Sequence, residues 1–218
     1  MPGPGPPNTV PVVRAAGRLL LLESEALPPL LRRARPGQFD LPSVLPGWSI
    51  RDVLAHCGAA LAGFAQGTVG PFTPEANQVQ VDERASWPLD RVLDELFGSY
   101  EAAAARIDEL GGPADGLGLG EWIHGGDVRD PLGEPDAYRS AGIDLAMPLI
   151  SARSVDREAA AIEVSVDGEP VPFGVGDPVA TLTTDVSTFV RLVAGRSPDP
   201  DRYRLVGDVA ADDLRLFT

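Results

Sequence analysis

The sequence predicts an α+β protein, with a helical bundle first and a smaller unit of strands and helices behind it. Apolar residues recur at helical spacing through most of residues 9–128. Beyond about residue 154 the pattern changes to strand-like alternation broken by Gly and Asp. Hydrophobic residues make up 44% of the 218, enough to bury a proper core in one large domain or two modest ones. Helices followed by strands place the division where the pattern changes. The expected boundaries are a tail over 1–8, a bundle over 9–135, a linker over 136–153 that can be helical, and an α+β domain over 154–218.

"MPGPGPPN" holds too much Pro and Gly for regular structure and reads as a mobile tail. From Thr9 onward "TVPVVRAAGRLLLLESEAL" has helical spacing, with Pro28 and Pro29 kinking or ending the helix. The next start is sharper. Ser49 caps a helix whose third position is Asp52, and Trp48 stands where a staple residue packs. Ile50, Val53, Leu54, Cys57, Leu61 and Phe64 share its core stripe, while His56 lies about 100° from the stripe's centre. Beside His56 the small residues Ala59, Ala60 and Gly63 leave room for a cleft.

A loop rich in Gly, Pro and Asn is expected next, then a long amphipathic helix carrying Val92, Leu96, Tyr100 and Ile107, ended by Gly111, Gly112 and Pro113. A further helix covers part of 117–128 despite its glycines, giving roughly four helices, the size of a bundle. In the last quarter "AAIEVSVDGEPVPFGV" reads as a hairpin turning at Asp167-Gly168, and "DPVATLTTD" as another strand. A short helix "VSTFVRLVAG", a strand "RYRLVGD" and a closing helix "VAADDLRLF" complete it.

Charge narrows the function. A net charge of −14 argues against an extended nucleic-acid footprint and against anionic membranes. No apolar run approaches the roughly 20 residues needed to span a bilayer, and no secretory leader pattern is present. Cys57 is the single cysteine, so no disulfide framework exists. A soluble cytoplasmic protein, monomer or homodimer, is the expectation. All 18 basic residues are arginine, which keeps local recognition of a small acidic ligand open.

There are two histidines, on different predicted helices. In "GEWIHGGDVRDPLG" Glu121 and His124 stand at i and i+3, so both side chains project from one face. With His56 brought across from the facing helix they would give two imidazoles, one carboxylate and an open position, the pattern of catalytic zinc. The plainer readings stand beside it. His56 could bond a backbone carbonyl, Glu121 with His124 could be a surface ion pair, Asp127 could pair an arginine, and Cys57 could be a small buried hydrophobe. Arg51, Arg129, Arg139 and Arg196 are candidates to hold a substrate carboxylate. Arg196 stands out because it follows Gly195 at a helix end, where a turn would aim it outward.

"LPGWSIRDVLAHCGAALAGF", "WIHGGDVRDPLG", "ATLTTDVSTFVRLVAGR" and "LVGD" resemble successive signature segments of the mycothiol-dependent maleylpyruvate isomerase family. That family's N-terminal domain is a DinB-like helical bundle, here a four-helix bundle, followed by a small C-terminal α+β domain. The resemblance implies a divalent metal, usually zinc, held by a histidine of the second helix and a glutamate and histidine of the last. His56 matches the first ligand and His124 the last. The family's glutamate lies four residues before that histidine, where this chain has Gly120, so Glu121 is displaced by one. Either the helix adjusts so that Glu121 serves, or the site has lost a ligand. The resemblance also implies an arginine from the C-terminal domain at the cleft, matched to Arg196, and mycothiol or a similar low-molecular-weight thiol as cosubstrate. It thus implies an isomerase or thiol transferase acting on a small electrophilic, carboxylate-bearing substrate. The alternative is a non-catalytic member that binds metal, thiol or small ligand through a degenerate site.

Overall fold

A computed structural model describes residues 12–217; the expected tail and the start of the first predicted helix lie outside them. Helix α1 (Val12–Arg33) continues through Pro28 and Pro29. Two prolines remove only the bonds that would reach the carbonyls of Ser24 and Glu25, on a flank where Glu25 and Pro29 meet solvent. Leu27, Leu30 and Leu31 are buried on the other flank and hold the helix in place. Helix α2 (Ile50–Gln66) starts at the expected capping box, with Ser49 accepting from the Asp52 amide and Asp52 accepting from the Ser49 amide.

The loop expected after α2 contains helix α3 (Pro74–Arg84), capped by Thr73 with Pro74 in its first turn. Its composition is polar because only one side meets the body of the protein: Val81 is its one buried residue. Arg84 ties its end to Glu95 of α4 (Leu89–Leu110) through Nε and Nη2 at 2.5 and 2.8 Å. Helices α1, α2, α4 and α5 (Asp115–Arg129) form the bundle, with α3 against α2. Helix α6 (Ile143–Asp156), in the span expected as a linker, buries Ala146, Leu149 and Ile150 and packs on α1 and α5.

The glycines that weaken α5 as an isolated helix are what let it close on α1. A Cβ at Gly118 would sit 2.3 Å from the Ala16 carbonyl oxygen, so no larger residue fits this crossing. The same approach permits a buried ion pair, in which Arg129 donates to both Glu23 oxygens at 2.8 and 2.5 Å. Burial works against the Arg129 charge, but Glu23 outweighs it and raises the guanidinium above its ordinary pKa.

The C-terminal sheet has the order β2-β1-β3-β4, from strands β1 (Glu163–Val166), β2 (Glu169–Val171), β3 (Ala180–Thr184) and β4 (Tyr203–Gly207). The β1–β2 hairpin turns at Asp167-Gly168, both at positive φ (52° and 89°), as a two-residue turn of this hand requires. β3 runs parallel to β1 and antiparallel to β4. Helix α7 (Val186–Val193) buries Phe189, Val190, Leu192 and Val193, with Phe189 edge-on to Phe173. The closing helix expected over 209–217 is only a 3-10 turn, Ala211–Leu214. The Leu216 amide donates to the Val193 carbonyl, so the chain is drawn onto α7 rather than into a helix of its own. Among the described residues no helix is long and apolar enough to cross a membrane.

Candidate functional site

A cleft of about 690 Å³ opens where the bundle meets the C-terminal region, and His56, Glu121, His124 and Arg196 all line it. Trp48, Phe64, Val69 and Phe72 form an apolar wall, and Arg153, Arg157 and Arg196 bring cationic side chains to the lining.

The two imidazoles meet edge to face, 5.3 Å between ring centroids, and each is oriented through Nδ1. His56 Nδ1–H donates to Gln80 Oε1 at 2.7 Å. His124 Nδ1–H donates to Asp127 Oδ2 at 3.0 Å. A carbonyl or carboxylate oxygen accepts but does not donate, so both rings donate from Nδ1, and in the neutral His56 the lone pair is left on Nε2. A metal ligand needs that tautomer, and an acceptor behind the ring is the usual means of fixing it. Burial, then the neighbouring His124, lowers the His56 pKa to about 3, so the ring is neutral at ordinary pH.

Asp127 is the hub behind His124. It accepts from Arg196 Nε at 3.2 Å and Nη2 at 2.6 Å, and from the Tyr138 hydroxyl at 2.7 Å. Burial alone would raise this carboxyl, but Arg196 and His124 overcome it and hold the group well below the usual carboxylate range. Gly126 makes the arrangement possible: a Cβ there would lie 2.3 Å from the Tyr138 ring. Arg196 itself enters through a helix stop. Gly195 sits at φ 72°, its amide bonds the Leu192 carbonyl, and the Arg196 amide bonds the Arg191 carbonyl, closing α7 in a Schellman turn.

That turn sends Arg196 inward, onto Asp127, rather than outward as expected from its place after Gly195. Its third nitrogen, Nη1, donates to the Ala194 carbonyl at 2.7 Å. Three of the five N–H donors of Arg196 are thus spent within the protein, two on Asp127 and one on the Ala194 carbonyl. The other three candidate arginines are engaged as well: Arg51 with the Arg84 and Trp87 carbonyls, Arg129 with Glu23, and Arg139 with Asp167.

Glu121 is buried in the cleft wall one turn before His124. Burial raises its pKa to about 7, partly offset by His124 and the Cys57 thiol. Cys57 is buried on the core stripe near that carboxyl; burial and then Glu121 push its pKa well up, which disfavours the thiolate. Among the described residues no three His, Cys, Asp or Glu side chains converge as a ready metal cluster. The histidine pair therefore fits a metal's needs, and Glu121 does not complete a third position as it stands.

Gln80 lies on α3, in the span expected as a loop, and Arg153 at the end of the span expected as a linker that can be helical, while Arg157 falls in the expected α+β domain; none of the three is among the expected site residues. Thr73-Pro74 ahead of a polar stretch was the available signal for α3. For the two arginines the sequence offered none beyond their charge.

The sequence matches the family described as the mycothiol maleylpyruvate isomerase N-terminal domain over residues 20–129, just over half of its 218 residues. Two crystal structures are similar in fold, of the mycothiol-dependent maleylpyruvate isomerase and of a histidine-to-alanine mutant of it. Each is 14% identical, with a TM-score of 0.52 over 91% of this chain and 95% of that one. No curated protein matches the chain. The fold is thus α+β, a DinB-like four-helix bundle followed by a small C-terminal α+β domain. The chain belongs to the mycothiol maleylpyruvate isomerase N-terminal domain family.

Proposed function

We propose that this protein is a metal-dependent, low-molecular-weight-thiol-dependent isomerase or S-transferase acting on a small electrophile that bears a carboxylate. The observation that carries the reading is the pair of imidazoles, 5.3 Å apart on one cleft, each with Nδ1 tied back to an oxygen acceptor so that Nε2 would serve a metal. His56 and His124 would hold the metal, zinc by donor type, with Glu121 as the third donor if its carboxyl turns to them. When bound, the metal supplies acidity, converting a thiol to thiolate near neutral pH. Among the described residues no cysteine lines the cleft, and Cys57 is buried and held protonated. The thiol therefore comes from outside, and the mycothiol of the family's name is the candidate.

The chain's residues then position and desolvate. Asp127, Arg196 and Tyr138 keep His124 in one tautomer, Gln80 does the same for His56, and Trp48 and Phe64 keep the cleft apolar on one side. In an isomerisation the thiolate adds to a cis carbon–carbon double bond, forming a C–S bond and leaving a rotatable single bond. Elimination after rotation breaks the C–S bond, returns the thiol and leaves the trans isomer. In a transfer the C–S bond is kept.

A second reading, a non-catalytic binder of metal, thiol or small ligand, is favoured because, among the described residues, no third His, Cys, Asp or Glu converges with the two histidines. Metal analysis with His56→Ala and a panel of electrophiles separates the two. Stoichiometric zinc lost in His56→Ala, with thiol-dependent turnover in the parent, supports the enzyme. Stoichiometric zinc without turnover supports the binder, and no zinc in the parent overturns the metal site. We further propose that the two domains divide near residue 154, leaving α6 at their junction.

A further inference from the structure

We infer that Arg153 and Arg157, at the C-terminal end of α6, form the carboxylate-binding wall of the cleft and take the place expected of Arg196. This rests on the proposed reading for the identity of the ligand, though not for the existence of the site.

Both arginines line the same cavity as His56 and His124. Arg153 is half-buried and fixed from two sides: its Nε donates to the Leu216 carbonyl at 2.9 Å, and its guanidinium lies 4.3 Å over the Phe217 ring. Those contacts leave its two Nη groups, one of which occupies the space that a side chain at Gly116 would fill, 2.7 Å from where a Cβ would sit. Among the described residues neither Arg153 nor Arg157 makes an ion pair, although the chain holds 32 acidic side chains against 18 basic ones. Seven other arginines, Arg84 and Arg196 among them, do have a carboxylate. Burial and then the charge of Arg157 lower the Arg153 pKa, with only Asp156 acting the other way. Two cationic side chains line one cleft of an acidic protein, and the half-buried Arg153 has no carboxylate partner among the described residues, so an anion entering the cleft meets both.

The ligand class that follows is a planar carboxylate small enough for a cleft of about 690 Å³, with its reactive carbons toward the histidines. The inorganic alternatives, phosphate and sulfate, share the charge but not the double bond, and serve as competitors in the test.

The test is calorimetric titration of the purified full chain with maleate, with dimethyl maleate as its uncharged counterpart. Maleate is expected to bind and dimethyl maleate to bind far more weakly. Arg153→Gln is expected to weaken maleate about 10–100-fold, the worth of hydrogen bonds to a charged group. Arg157→Gln weakens it less, and Arg153→Lys recovers part of the loss. Arg33→Gln, an exposed arginine outside the cleft, leaves binding unchanged. Because Arg153 also holds Leu216, the exposed Arg157 carries the test if Arg153→Gln unfolds. No maleate binding by the parent, or binding by both Gln variants as tight as the parent's, overturns the inference. Binding that depends on both arginines without any thiol-dependent turnover upholds this site and counts against the proposed enzyme. Turnover of a carboxylate substrate that ignores both arginines does the reverse.

Discussion

Helix α7 is held at each end by an aspartate and an arginine, and the two ends differ in everything but residue type. At its C-terminal end Arg196 meets Asp127 with side chains 13% and 0% exposed. At its N-terminal end Asp185 meets Arg202 with side chains 27% and 64% exposed, 2.9 Å apart. The first pair crosses from the C-terminal region into the bundle and sets the tautomer of His124. The second stays within its own region and caps a helix. Burial decides the difference: a desolvated pair that loses one partner strands a charge, whereas an exposed pair is replaced by water.

The largest effect should come from breaking the buried end. Asp127→Ala leaves Arg196 charged and the Tyr138 hydroxyl without its acceptor, which should cost about 3–5 kcal/mol in denaturant unfolding. It also removes the acceptor behind His124, so zinc binding should fall with stability. Arg202→Ala at the exposed end is expected to change stability by less than about 0.5 kcal/mol. Equal losses at the two ends would refute the contrast.

A step smaller is Gly126→Ala. Its Cβ would strike the Tyr138 ring, and ring and hydroxyl must shift together, at about 1–3 kcal/mol by the ordinary cost of overpacking. Since Tyr138 donates to Asp127, the variant should impair the His124 side while leaving the Asp185 cap intact. Unfolding curves with zinc titration would show that split.

Most of the fold was legible in the sequence because burial writes a period into it. The α2 start at Ser49, the α4 stripe and the Asp167-Gly168 turn each followed from local chemistry. What stayed hidden was non-local or weakly patterned. Helix α3 is polar and touches the body along one edge, so it carries no stripe. The closing helix failed because a bond from Leu216 to Val193 outcompeted it. At the site, His56, Glu121 and His124 could be placed on facing helices, but not the partners that orient them. Gln80 lies 24 residues from His56, and Arg196 lies 69 from Asp127. No spacing rule spans such gaps.

Gln80 extends the comparison to the other imidazole. His56 is held by a neutral amide of α3, where His124 is held by a buried charge. Gln80→Ala should therefore cost about 1 kcal/mol or less in stability. Its effect on zinc should be the larger one, about 10–100-fold weaker affinity, as for other residues that orient a ligating imidazole. A stability loss as large as that of Asp127→Ala, or unchanged zinc affinity, would remove Gln80 from the site.

The smallest effect is reserved for the exposed end of α7 and is read through pH. Asp185 accepts from the Thr188 amide at 2.9 Å and its hydroxyl at 3.0 Å; burial works against the carboxylate, but these bonds together with Arg202 outweigh it and lower the pKa. A folded value below the unfolded one means that the contribution is fully present above the unfolded value, about 3.9. It is lost as pH falls through the lowered folded value. Asp185→Asn keeps a capping oxygen at every pH but removes the titration. The parent should therefore lose stability relative to Asp185→Asn as pH drops below about 4, and the two should run parallel above about 5.5. Solvent screening keeps the whole effect under about 1 kcal/mol. A gap of that size or more, persisting at neutral pH, would mean that the exposed pair with Arg202 acts like the buried one, and the contrast between the two ends of α7 would rest on something other than burial.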